Sequence, residues 1–302
     1  MAQHAKTRSN QPDPHDHADP GHDTETDPFE VLDVRPLRQS IPAFLLTLPL
    51  TSAGLLGTFA LAPFVVPFYK RFPLELKDRT AHAMTFWLML AAKFRIEVVD
   101  HNDSPEDHAQ LYIAPHICIL EPMALMRALG HIRPVAAAMT KDLPVFGRFV
   151  DAADPIYVER GKGDNGPSVV DRLRDSIENT NYRHLIFPEG TYTNGRTLLE
   201  FKVGAFAIGK PITPVIFHFP EWVPFWNREE SGFATQLYRL AATFQTPIKI
   251  EILPTYHPSQ EELDDPALYA HNMRALLSER TRRPMSDRSV YDSPNYRSDV
   301  AK

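Results

Sequence analysis

Cysteine is nearly absent from this 302-residue chain, where Cys118 stands alone. One thiol excludes an intrachain disulfide and any zinc cluster built on several thiolates. Surplus basic charge is missing too: 32 Lys and Arg face 38 Asp and Glu, for a formal net charge of -6. Residues 1–34 hold eight of those acids against Lys6 and Arg8, so the rest of the chain is balanced. Nothing therefore points to a nucleic-acid partner, which asks for a basic stripe. The start lacks the basic-then-apolar order of a signal peptide. Its run QPDPHDHADPGHDTETDP reads as a disordered acidic leader over residues 1–34, and His15, His17 and His22 lack the ordered spacing of metal ligands. The calcium-loop pattern D-x-[DN]-x-[DN]-G occurs nowhere, which argues against calcium regulation.

One long stretch lacks charge altogether, from Ile41 to Tyr69. A membrane-spanning helix needs ~20 predominantly apolar residues, so this run is long enough. Pro42, Pro49, Pro63 and Pro67 each remove a backbone donor, and Gly54 and Gly57 loosen the middle, a pattern that suits a broken helix or a re-entrant hairpin. Arg35 and Arg38 precede it and Lys70 and Arg71 follow, so flanking charge selects no orientation. The alternative is a buried core helix. A second apolar block, Met84 to Ala92, is too short to span and reads as an interfacial or core helix around Trp87.

After Ala92 the hydrophobic period changes. RIEVVD, QLYIAP, RPVAAAM, DPIYVER, HLIFPEG, ITPVIFHF and IKIEILPTY read as strands. Helix-like segments separate several of them; in GPSVVDRLRDSIENT, Val169, Val170, Leu173 and Ile177 share a face and Pro167 suits a first turn. The alternation predicts an α/β fold with a mixed, largely parallel sheet flanked by helices, behind an N-terminal apolar membrane-anchoring helical segment. In such sheets ligands gather beyond the carboxyl ends of the strands. PHICILE and PEGTYTNG both follow strand-like runs at that end.

Within APHICILEPMAL, Pro115 ends a strand, and Pro122 suits the first helical position, which puts Glu121 at the N-cap. His116 and Glu121 would point about 140° apart inside one helix, so they meet only if the loop folds back. A carboxylate beside an imidazole would orient its tautomer and stabilise its protonated form, which suits taking a proton from an attacking hydroxyl. Taken alone, the pair is more simply a capping glutamate beside a hydrogen-bonded core histidine. A further alternative is a Cys118 acyl-enzyme activated by His116, against which stand the tight spacing and the apolar context. In FPEGTYTNGRTLLEFKVGAF, Gly190, Thr191, Thr193 and the Asn194-Gly195 turn offer backbone amides that could hold a phosphate or an oxyanion, with Arg160 and Lys202 adding positive charge.

These segments resemble the glycerolipid acyltransferases that carry an H-x-x-x-x-D motif, and most of all their lysophosphatidylcholine acyltransferase branch. The resemblance runs from about Pro28 to Glu279 through APHICILEP, GRFVDAADPIYVERG, FPEGTYTNGRTLLEFKVGAF, GKPITPVIFHF and EILPTYHPSQEELDDPALYAHNMRAL. It implies transfer of a fatty acyl group from acyl-CoA, as co-substrate, to the hydroxyl of a lysophospholipid, without covalent intermediate, metal or other cofactor, at a lipid bilayer of the endoplasmic reticulum or another internal membrane. Carried over by position, His116 is the general base and Glu121 its partner. Arg160, Glu189, Gly190 and Thr191 bind the acceptor's phosphate or glycerol region, with Glu189 serving loop architecture or a glycerol hydroxyl. Lys202 contacts CoA or the head group, and Pro214 is structural. The implied organisation is a leader over 1–34, a membrane-associated helical region over 35–92, the acyltransferase domain over 93–282 and a disordered tail over 283–302. Lysophosphatidic acid or glycerol 3-phosphate are alternative acceptors. Glu121 stands where the motif has aspartate, which leaves room for a catalytically weak lipid-binding relative.

Overall fold

The computed structural model describes residues 27–28, 37–142, 146–159, 168–220, 243 and 245–293. The rest of the leader, His15, His17, His22, Arg160 and Pro167 lie outside the described residues.

Most of the charge-free run forms one helix, α1 (Leu37–Val65), which continues through Pro42, Pro49 and Pro63. The expected break at those three prolines is thus corrected, while the helix ends inside the run and the chain turns back after Val65, with Pro67 in the turn. The return leg is α2 (Leu74–Ala91), which carries the second apolar block. Gly57 approaches α2 so closely that an added Cβ would lie 2.2 Å from the Trp87 ring, and one at Gly54 would lie 2.4 Å from the Ala91 nitrogen. Those two pairings run in opposite directions along the helices, so the hairpin is antiparallel. The protein-facing stripe of α1 is small and polar, with Thr47, Thr51, Gly54 and Thr58 buried, while Leu46, Leu56 and Phe64 are 71%, 70% and 77% exposed. A water-soluble helix buries its apolar face, so this inverted pattern overturns the core-helix alternative and presents the kind of surface that lipid covers. Leu45–Val65 is long and apolar enough to cross a membrane. Polar contacts fasten the hairpin to the rest of the molecule. The Lys77 ammonium donates to the Tyr182 hydroxyl at 2.8 Å, and Asp78 accepts the His131 backbone N–H at 2.7 Å.

All seven expected strands form, as β1 (Phe94–Asp100), β2 (Leu111–Ile113), β3 (Ile132–Ala137), β4 (Ile156–Val158), β5 (Arg183–Ile186), β6 (Ile212–His218) and β7 (Thr246–Ile252). Their order in the sheet is β1-β7-β6-β2-β5-β3-β4. Every pairing is parallel except β6 with β7. Alternating side chains divide the core in two. Tyr112, Leu185, Phe217 and Ile250 pack on the face covered by α3 (Glu121–Leu129), whereas Ile113, Ile186 and Ile216 pack on the face of α5 (Val169–Asn179) and α7 (Pro266–Thr281). The short helices α4 (Phe146–Ala152) and α6 (Gln260–Asp264) lie between β3 and β4 and before α7 in sequence. Ser168 caps α5: its hydroxyl accepts the Asp171 backbone N–H at 3.1 Å and closes a capping box.

Residues 283–293, expected to belong to a disordered tail, instead lie along the segment that follows Gly195. Leu198 donates to the Pro284 carbonyl at 3.0 Å and accepts from the Ser286 amide at 2.9 Å, and Glu200 donates to the Arg288 carbonyl at 2.9 Å. From the other end of the chain, the carbonyls of Asp27 and Pro28 accept from Asn194 at 2.8 and 3.0 Å. Both terminal segments therefore support the same loop.

Candidate active site

β2 and β5 are parallel neighbours, so their carboxyl ends deliver Ala114–Leu120 and Phe187–Gly195 to one place. The first loop folds back as it enters α3. Glu121 becomes the first residue of that helix, with Leu120 at the N-cap, and Pro122 falls at the second position, one step from the expected arrangement. This brings Glu121 Oε2 to 2.6 Å from His116 Nδ1. The Ile117 amide donates to both carboxylate oxygens at 3.2 Å. The Ile117 N–H can only donate, so an ionised Glu121, an acceptor alone, would hold the imidazole proton on Nδ1. The Nε2 edge has no partner among the described residues, and the ring lines a cavity. Burial holds His116 well below its usual range, so the ring is a neutral base at physiological pH. Burial also pushes the Glu121 carboxyl up, against the pull of the Ile117 and Cys118 N–H groups and the nearby charge of Arg283.

Glu189 is fully buried and faces away from that cavity. Its Oε2 accepts the His116 backbone N–H at 3.1 Å and its Oε1 the Leu199 N–H at 3.1 Å. The side chain thus ties the two loops together and is not among the residues lining that cavity. Burial raises it to about 7, opposed by those two N–H groups and by Arg283 and Arg274. Thr193 reinforces the tie by donating to the His116 carbonyl at 3.0 Å. Gly190 has φ +71°, a conformation that favours glycine, and a Cβ there would lie 2.9 Å from Lys202 Cε, which the flexible lysine side chain would have to vacate.

The expected phosphate-holding amides are largely committed. Gly190 donates to the Phe187 carbonyl, Thr193 to His116, Asn194 to Pro28, and Gly195 to the Thr193 hydroxyl. A turn this tight satisfies its own donors, leaving little for an anion. Cys118 is buried, and burial together with Glu121 raises its thiol to about 12, which keeps it protonated and unsuited to nucleophilic attack.

His116, Gly190, Thr191 and Lys202 line one cavity of about 680 Å³, within the ~300–1,000 Å³ typical of small-molecule sites. Its other walls are mostly apolar, among them Ile119, Met123, Met126, Val135, Val150 and Val170. Sequence reasoning missed the aromatic neighbours of the base. Phe187 stacks on the imidazole with ring centroids 3.6 Å apart, and Tyr192 covers it at 4.0 Å. Both stand within FPEGTYTNG, and an aromatic on either side of a strand-end loop was the available signal. Arg283 and residues 27–28 were missed as well, with no local signal to reveal them.

Residues 95–218 match the family described as Acyltransferase. Lysophosphatidylcholine acyltransferase 1 of Homo sapiens is 30% identical over 251 residues, 81% of this chain and 46% of that protein. Lysophosphatidylcholine acyltransferase of Drosophila melanogaster is 34% identical over 186 residues, 60% of this chain and 35% of that protein. The chain thus spans less than half the length of these relatives. The 1-acyl-sn-glycerophosphate acyltransferase PlsC of Thermotoga maritima shares the fold, with a TM-score of 0.53 and 17% identity over 82% of this chain and 100% of that one.

Proposed function

The chain belongs to the acyltransferase family through the domain at residues 95–218, and from that premise we propose that it moves a fatty acyl group from acyl-CoA to the hydroxyl of a lysophospholipid, lysophosphatidylcholine or a close relative. The observation that carries this reading is a neutral imidazole whose Nδ1 edge is held at 2.6 Å by Glu121 and whose ring opens on an apolar cavity. His116 Nε2 takes the proton of the acceptor hydroxyl as its oxygen attacks the thioester carbonyl. The carbon–sulfur bond then breaks, and the imidazolium returns its proton to the departing thiolate, restoring the neutral base. Glu121 fixes the tautomer and offsets the positive charge that develops on the ring. No group of the protein becomes acylated.

The apolar walls suit an acyl chain, whose burial contributes ~0.8 kcal/mol per methylene. Lys202 supplies positive charge to the acceptor's phosphate, and Gly190 and Thr191 permit its close approach. The resemblance assigns Arg160 to the same phosphate. α1, with its leucines and phenylalanines facing outward, anchors the enzyme in the bilayer from which a lysolipid is drawn, with the catalytic domain on the side where acyl-CoA is available. That Glu121 reaches His116 at 2.6 Å supports a working dyad over a non-catalytic relative.

Purified full-length protein in detergent should transfer radiolabelled acyl groups from acyl-CoA to lysophosphatidylcholine in preference to lysophosphatidic acid or glycerol 3-phosphate. His116→Ala should lower turnover by ~10²–10⁴-fold, the usual contribution of a general base. Undiminished turnover in that variant excludes the mechanism, and preference for another acceptor reassigns the substrate.

A further inference from the structure

Two aromatic rings lie within 4.0 Å of the His116 ring, too close to share one of its faces without overlapping each other, and the dyad mechanism uses only the edges of the imidazole. Phe187 lies almost parallel to the imidazole, at 14° and 3.6 Å, directly after β5. Tyr192 lies on the ring at 33° and 4.0 Å, from the middle of a loop, half-buried, with its side chain on the cavity. Centroids this close are in van der Waals contact, so the imidazole cannot turn about its Cβ–Cγ bond without displacing one of them. Stacking fixes the plane of the ring, and the Glu121 bond selects which edge carries Nδ1, with the residue lining the cavity. We propose that Tyr192 is a positioning residue for His116: its aromatic face, opposite that of Phe187, holds the imidazole in the Glu121-bonded orientation, keeps water from it, and stabilises the imidazolium formed during transfer.

Two opposing effects act on the ring. Excluding water disfavours the charged imidazolium, whereas the electron-rich faces of the aromatics attract it. Burial is the dominant influence on His116. Opening one face to water therefore raises the affinity of the ring for a proton, even as it loses an aromatic contact. Other groups bearing on the ring are Glu121 from α3, Glu189 on its backbone N–H, Lys202 on the same cavity, the buried Cys118 thiol, and Arg283, whose charge acts on both carboxylates. None of these is removed by changing Tyr192.

The proposal rests on His116 being the base, and its test separates the two. Full-length Tyr192→Phe and Tyr192→Leu would be compared with the parent in kcat, KM and the pH profile of kcat/KM. In parallel, the His116 ring would be titrated by NMR of histidine-labelled protein, with His116→Ala identifying its signal. Tyr192→Phe, which keeps the aromatic face, should leave the His116 titration in place and retain more of the parent's kcat than Tyr192→Leu. Tyr192→Leu should lose about tenfold in kcat, with KM within twofold, and both its acidic limb and the titration of His116 should move up toward the ordinary histidine value. An unchanged titration and kcat in Tyr192→Leu, or a Tyr192→Phe as impaired as Tyr192→Leu, overturns the positioning role. If neither parent nor variant transfers acyl groups while the NMR shift still follows the aromatic ring, the acyltransfer reading has failed and the confinement of the ring stands.

Discussion

Between His116 and Glu121 the carboxylate reaches the imidazole because the side chain is long. Glu121 sits in the first turn of α3, and its carboxylate must extend back across the loop to reach Nδ1 at 2.6 Å and the Ile117 amide at 3.2 Å. Aspartate, common to the family motif, is shorter by one carbon–carbon bond of ~1.5 Å, which would open both contacts beyond hydrogen-bonding range. Glu121→Asp should therefore lower kcat by about tenfold or more in the lysolipid assay, although it restores the motif. Equal or higher turnover would mean that the loop closes the gap by itself. Glu189 lies one layer behind, where its carboxylate accepts the backbone N–H groups of His116 and Leu199.

At the scale of elements, the helical hairpin joins a lipid-seeking surface to a precise crossing. α1 turns threonine and glycine toward the protein and leucine and phenylalanine away from it, the polarity of a helix packed on α2 behind and suited to lipid in front. The crossing tolerates no side chain at Gly57, where a Cβ would lie 2.2 Å from Trp87. Gly57→Leu should cost ~1–3 kcal/mol by overpacking and lower the melting temperature in detergent by several degrees. Leu56→Ala, on the exposed face one residue earlier, should leave the melting temperature nearly unchanged. Thermal scans of the two variants side by side test whether the crossing or the outward face carries the stability.

For the molecule as a whole, the two ends of the described chain converge on the loop that carries Gly190 and Lys202. Leu198 and Glu200 bond to residues 284–288, and Leu199, between them, donates to Glu189, which in turn accepts the His116 amide. Deleting residues 283–302 would strip partners from both neighbours of Leu199. The truncated protein should lose stability and most of its turnover, because an unpaired buried backbone group costs ~1–3 kcal/mol. Arg288 also pairs with Asp27 at 2.8 Å, but both side chains are about half exposed, and such a pair contributes little. Arg288→Ala should therefore melt close to the parent, and a melting temperature as low as that of the truncation would assign the support to charge and not to backbone pairing.

What the amino-acid order determined by itself was whatever depends on near neighbours. The seven strands, the helix after Ser168, the charge-free run and the strand-end loops bearing His116 and Gly190 were all legible, because hydrophobic period and turn chemistry act over a few residues. The continuity of α1 through its prolines was not, since a removed donor weakens a helix without revealing whether packing against α2 sustains it. Only the tertiary structure decided the rest: the parallel register of β2 and β5 that sets Phe187 and Tyr192 on the faces of His116, the inward turn of Glu189, the commitment of the loop amides, and the path of residues 283–293. Apart from the short-range amide bonds of Gly190 and Gly195, these join segments from ten to well over a hundred residues apart, and such contacts follow from how packed surfaces and backbone donors are satisfied, which no local spacing records.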